Sequence, residues 1–152
     1  MHVFIAGVMQ GIRHDDRIDD QHYRVRIGKA LNEHIPGIRI TDPWALNPDS
    51  IKYDADQARH TFLTMTKEAG RADLLIAYLP VPSMGTAMEM WEAFQAQTYI
   101  IAVTPLIHHW AVRFTANEIM PDLHGLLADI ENGRISQLLH SLTKVDAPSL
   151  AI

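Results

Sequence analysis

The chain has 152 residues, enough for one domain with a buried core and too few for two of ordinary size. Its formal charge of -5, with no run of Lys or Arg, excludes the basic stripe that a nucleic-acid polymer needs. It has no cysteine, which excludes disulfides and thiolate metal sites. No apolar run approaches the roughly 20 residues of a membrane helix, so no membrane partner is expected.

Short apolar runs alternate along the chain with longer amphipathic ones, the pattern of a parallel sheet covered by helices. His2 to Ala6 reads as the first strand, not as a signal peptide, because no basic leader precedes it. The loop GVMQGIRHDD follows, and Asp15 or Asp16 is expected to cap a helix from about Arg17 to His34. After the break at Pro36-Gly37, Ile38 to Thr41 is the second strand. A polar loop leads to a helix over Asp54 to Ala69, stopped by Gly70. Asp73 to Leu79 is the most apolar and central strand, ended by Pro80 and Pro82. A helix over Thr86 to Gln97, a strand over Tyr99 to Thr104, a short helix near Leu106 to Thr115 and a strand near Glu118 to Pro121 come next. Helices over Leu123 to Glu131 and Ile135 to Leu142 close residues 1–143, a single domain. Residues 144–152 read as a frayed tail.

This order predicts an α/β fold, a doubly wound five-stranded parallel sheet of the flavodoxin or Rossmann-like kind. Ligands of such sheets sit beyond the carboxyl ends of the strands, where strand order reverses. That rule selects three loops: Gly7 to Asp16, Asp42 to Lys52 and Pro80 to Thr86. In the third, Ser83 and Gly85-Thr86 stand at a strand-to-helix junction, where free N–H groups and the helix dipole favour a polar or anionic group. Gly85 lets a ligand approach the backbone. Glu89 follows one turn later, where the positive helix end favours its ionised form. A carboxylate so placed suits attack on an anomeric carbon and stabilises an oxocarbenium-like state. The bland alternative is that Glu89 and Glu92 are solvated helix charges.

The segments VFIAG (Val3 to Gly7), ADLLIAYL (Ala72 to Leu79) and SMGTAMEMWEA (Ser83 to Ala93) resemble the nucleoside 2-deoxyribosyltransferase superfamily. The group includes base-exchanging transferases and N-hydrolases of nucleoside 5'-monophosphates. The resemblance implies a cytoplasmic N-glycosidase, with Glu89 as nucleophile and a nucleoside or nucleotide as substrate. It also implies a homodimer or higher homo-oligomer. It calls for no cofactor and no metal. Ser83, six residues before Glu89, stands where the transferases typically carry Asp and the monophosphate hydrolases Ser. That favours the hydrolase branch, since a carboxylate would repel a 5'-phosphate. Met65 occupies the position of a family Asp, with Thr64 and Thr66 beside it. Val8 and Gln10 stand where the deoxynucleotide hydrolases have Ser and Arg. Base exchange by a transferase is the alternative within this chemistry, and a non-catalytic nucleotide-sensing domain is the rival outside it.

Other candidates carry two readings each. Gly7, Gln10 and Gly11 offer backbone or amide donors in the first loop. Arg13 either grips a phosphate bidentately or pairs with Asp15 or Asp16. Trp44 either stacks on a base or ribose or packs in its loop. Asn117, His109 and Trp110 could reach a pocket, or serve the core or an interface. The adjacent His108 and His109 point apart, which disfavours a shared metal. Asp15, Asp16, Asp19 and Asp20 read as a solvated helix start before a Mg²⁺ site. Met84, Met88 and Met90 read as packing before a pocket wall.

Overall fold

A computed structural model describes residues 1–145, and side chains as far as residue 142. The proposed tail therefore lies almost wholly outside the described residues.

Five strands form one sheet in the order β2-β1-β3-β4-β5, every pair parallel. They are β1 (His2–Gly7), β2 (Arg39–Thr41), β3 (Leu74–Tyr78), β4 (Tyr99–Val103) and β5 (Glu118–Met120). The doubly wound expectation holds. Alternation along the strands explains both faces. Val3, Ile5, Leu74, Ile76, Ile101 and Val103 pack under α1 (His22–His34), α6 (Leu123–Glu131) and α7 (Arg134–Val145). Phe4, Ala6, Leu75, Ala77, Ile100 and Ala102 face the other way, toward α3 (Ala55–Ala69), α4 (Met84–Gln95) and α5 (Trp110–Thr115). Small side chains on that second face let α4 lie close to the sheet through Met90 and Ala93.

Strand order reverses between β1 and β3, so their carboxyl ends open a crevice. Two helix starts there differ from expectation. α1 begins at His22, five residues late, and neither Asp15 nor Asp16 caps it. Asp15 is held instead by Arg13, and the Gln21 side chain turns back to bond the Val8 carbonyl at 3.0 Å. Residues 8–20 thus remain a loop over the crevice. α4 begins at Met84, two residues early, because Ser83 accepts from the Thr86 N–H as its N-cap. α3 shows the expected Asp54 start as a full capping box with Gln57. A short helix α2 (Pro43–Leu46) and a 3₁₀ turn at Ser50–Lys52 occupy the segment read as plain loop. Pro43 at the first helical position and Asp42 accepting from the Trp44 N–H account for α2. No helix among the described residues is long and apolar enough to cross a membrane.

Candidate active site

A cavity of about 560 Å³ opens at the reversal point. Gly7 and the first loop, through Met9, Gln10, Gly11 and Asp16, form one side. Pro43, Asn47 and Ser50 form another, with Tyr53. Ala58, Thr61, Phe62 and Met65 of α3 give an apolar wall, and Ser83 to Thr86 with Glu89 of α4 complete the lining. Nothing cationic lines it. Glu89 and Asp16 are its two carboxylates among the described residues.

Glu89 projects from the second turn of α4, on the side that carries Gly85 and Thr86. Its carboxyl makes no hydrogen bond or ion pair to protein among the described residues. Burial pushes its pKa up from the ordinary 4.5 to about 8, against the pull of the Arg24 guanidinium and with the help of Asp42. A carboxyl turned toward a ligand-sized cavity and left without a protein partner is available to react.

The cavity wall at Gly7 rests on Arg24, which is 2% exposed. Its Nε donates to the Gln21 Oε1 at 2.7 Å. Nη1 donates to the Ile5 carbonyl at 2.6 Å and to Asp42 Oδ1 at 2.9 Å, and Nη2 to the Gly7 carbonyl at 3.0 Å. Tyr23 donates to the Val8 carbonyl at 3.2 Å and packs on Tyr78, ring centroids 4.4 Å apart. Burial raises the Tyr23 phenol, and Glu89 is among the charges acting on it. The Tyr23 ring also fixes the choice of glycine at the end of β1. A Cβ on Gly7 would meet the Tyr23 hydroxyl at 2.3 Å and its ring at 2.8 Å.

Most candidates from the first and third loops converge here: Gly7, Gln10, Gly11, Ser83, Gly85, Thr86 and Glu89 all line the cavity. Ser83 Oγ is already engaged, accepting from Thr86 Oγ1 at 3.0 Å and from the Thr86 N–H at 3.4 Å. Arg13 lies outside. It forms a two-pronged pair with Asp15, 2.8 Å on each prong, and borders a neighbouring cavity of about 450 Å³ with His14 and His109. Trp44 is half-buried in α2, and Pro43 and Asn47 of that segment line the cavity instead. Asn117 sits at the opposite, amino end of the sheet. Its side chain accepts from the Ile100 N–H at 2.8 Å and its own N–H donates to the Ile100 carbonyl, so it joins β5 to β4.

Sequence reasoning missed Arg24, Asp42, Tyr23, Phe62 and Tyr53. Arg24 carried a usable signal: with Tyr23 and Ile27 it falls on the buried side of an amphipathic helix, where a cation demands a partner.

No family model matches the chain, and no curated protein does. Solved structures do. The 2-deoxyribosyltransferase of the psychrotolerant bacterium Bacillus psychrosaccharolyticus is similar at TM-score 0.66 and 12% identity, over 91% of this chain and 96% of that one. A conserved protein of Enterococcus faecalis V583 is similar at TM-score 0.59 and 16% identity, over 86% and 97%. The CMP N-glycosidase BcmB of Clostridium botulinum is similar at TM-score 0.51 and 20% identity, over 87% and 99%. The fold is thus the doubly wound α/β fold that a 2-deoxyribosyltransferase and a CMP N-glycosidase share, with a partnerless carboxyl at its reversal point.

Proposed function

We propose that this chain is an enzyme of the nucleoside 2-deoxyribosyltransferase superfamily, an N-glycosidase that cleaves the sugar–base bond of a nucleoside. The carrying observation is the Glu89 carboxyl, free of protein partners in a cavity of about 560 Å³ at the carboxyl ends of β1 and β3. In the reaction a Glu89 oxygen bonds the anomeric carbon as the carbon–nitrogen bond breaks. The base departs with the electron pair and takes up a proton. Water then attacks the same carbon, loses a proton, and releases sugar and Glu89 carboxylate. The apolar wall of Phe62 and Met65 suits the flat face of a base.

The lining also bears on charge. One carboxylate, Asp16, and no cation make a poor bed for a dianionic 5'-phosphate, which favours an unphosphorylated nucleoside. The 5'-monophosphate reading draws support from the amino end of α4 alone, where Ser83 and Gly85 line the cavity. Base release from a panel of nucleosides and 5'-monophosphates, followed by chromatography, tests both. Release from nucleosides is expected, at least tenfold faster than from monophosphates. New nucleoside formed on adding a second base would identify a transferase. No release from any compound, with nucleotide binding intact, would leave a sensing domain.

Self-association belongs to the same proposal. Met84 and Trp91 on α4 and Trp110 on α5 are 87%, 54% and 77% exposed, Phe62 and Leu63 of α3 are also exposed, and α4 packs against both α3 and α5. Exposed aromatic and Met side chains on adjoining helices mark interfaces. Sedimentation velocity at micromolar concentration is expected to show a dimer or larger. A monomer would remove this part.

A further inference from the structure

β1 is longer than the strand beside it. The β1–β2 register stops at Phe4 against Thr41, whereas β1 runs on to Gly7 against β3. Carbonyls of alternate β1 residues point to the β2 side, where Met1 accepts from the Arg39 N–H. The next two beyond the end of β2, those of Ile5 and Gly7, would be left without a strand partner in the interior. Arg24 supplies both bonds from α1. Asp42, the residue immediately after β2, neutralises its charge at 2.9 Å. One guanidinium thus replaces two rungs of missing sheet under the cavity wall that holds Gly7.

We propose that Arg24 and Asp42 are positioning residues for Glu89. Together they complete the truncated edge of β1 behind the carboxyl and set the local field in which it ionises. The inference rests on the proposal that Glu89 reacts as a carboxylate. The two charges act on Glu89 in opposite senses: the guanidinium favours its ionised form and the carboxylate opposes it. The other titratable groups that face Glu89 are Tyr23 on α1, which burial keeps neutral, Asp16 in the first loop, and Tyr53 ahead of α3. α3 presents Thr61, Phe62 and Met65, none of which titrates. α4 presents Ser83 and Thr86, which bond each other. After burial itself, the paired charges are therefore the groups that act on the carboxyl.

A role in packing alone predicts no effect of charge sign, and that separates the two views. The Glu89 side-chain carbon can be followed by NMR in protein labelled with ¹³C at glutamate, with Glu89→Gln assigning the signal. Its midpoint is expected near pH 8. Asp42→Asn, which keeps an acceptor for the Trp44 N–H, is expected to lower the midpoint by about one pH unit. Arg24→Gln is expected to raise it by about as much, and Arg24→Lys to return it toward that of the unaltered protein. Titration of Asp42→Asn at the unaltered midpoint, in protein whose amide spectrum is native, would overturn the proposal. So would a downward move in Arg24→Gln. The readout needs no turnover. If no substrate in the panel releases its base, the functional proposal fails while the titration still decides this one.

Discussion

Glu89→Gln is expected to lower base release by ~10⁴-fold or more while leaving the fold intact, in line with loss of a covalent nucleophile. Single-turnover assays with the substrate found in the panel measure it. An unchanged rate would remove Glu89 from the reaction. The same substitution has a second signature that does not depend on substrate. Burial raises the Glu89 carboxyl from 4.5 to about 8, so between these values the folded chain holds a proton that the unfolded chain releases. Stability from this group is complete below about pH 4.5 and is lost as the pH rises through about 8. Gln carries no such dependence. The variant is therefore expected to match the unaltered protein in acid and to exceed it by about 5 kcal/mol well above pH 8, read from urea unfolding across pH. Equal stability at both ends would show that the carboxyl is not buried as described.

Arg24→Met is expected to cost about 3–5 kcal/mol, among the largest effects of any single change to this chain. The methionine keeps most of the apolar stem. It leaves Asp42 as a largely buried anion without its charge partner, and the Ile5 and Gly7 carbonyls without donors. A domain of this size has only about 5–15 kcal/mol of net stability, so the urea midpoint should fall by about a fifth or more with an unchanged slope. A loss below about 1 kcal/mol would mean that water or a rearranged Gln21 serves those carbonyls equally well.

These two residues also mark how far the sequence could be read. Glu89 was visible because its context is local. A central apolar strand, a proline-rich turn and Ser-x-Gly-Thr lie within sixteen residues of it, and each has a fixed backbone consequence. The same holds for α3, whose start at Asp54 follows from a capping box within one turn. Arg24 is not legible in the same way, although it lies in a helix that periodicity predicts. The reason is that its partners are Ile5, Gly7 and Asp42, separated from it by 17 to 19 residues and joined to it only by folding. The start of α1 departs from expectation for a related reason. The spacing of Asp15 suits a cap, but Arg13 holds it, and Gln21 is drawn back to the loop by the Val8 carbonyl.

Asn117 and Arg13 show the complementary effect. Both are residue types that bind nucleotides, and both stand near loops that a doubly wound fold could use. The sheet places Asn117 at its amino end, joining β5 to β4, and the first loop turns Arg13 toward Asp15 and away from the Glu89 cavity. Neither placement is encoded within a few residues of the side chain concerned.

The sequence by itself determined the strand and helix order, the parallel sheet and the loops that meet at its reversal point. Those follow from periodicity and from glycine, proline and capping residues, whose effects act over one or two turns of chain. Tertiary structure alone decided which polar groups share the cavity and what charge surrounds Glu89. Those depend on the early end of β2, which leaves two β1 carbonyls for Arg24 to satisfy. A strand's length relative to its neighbour is a property of the assembled sheet, and no segment of the chain carries it alone.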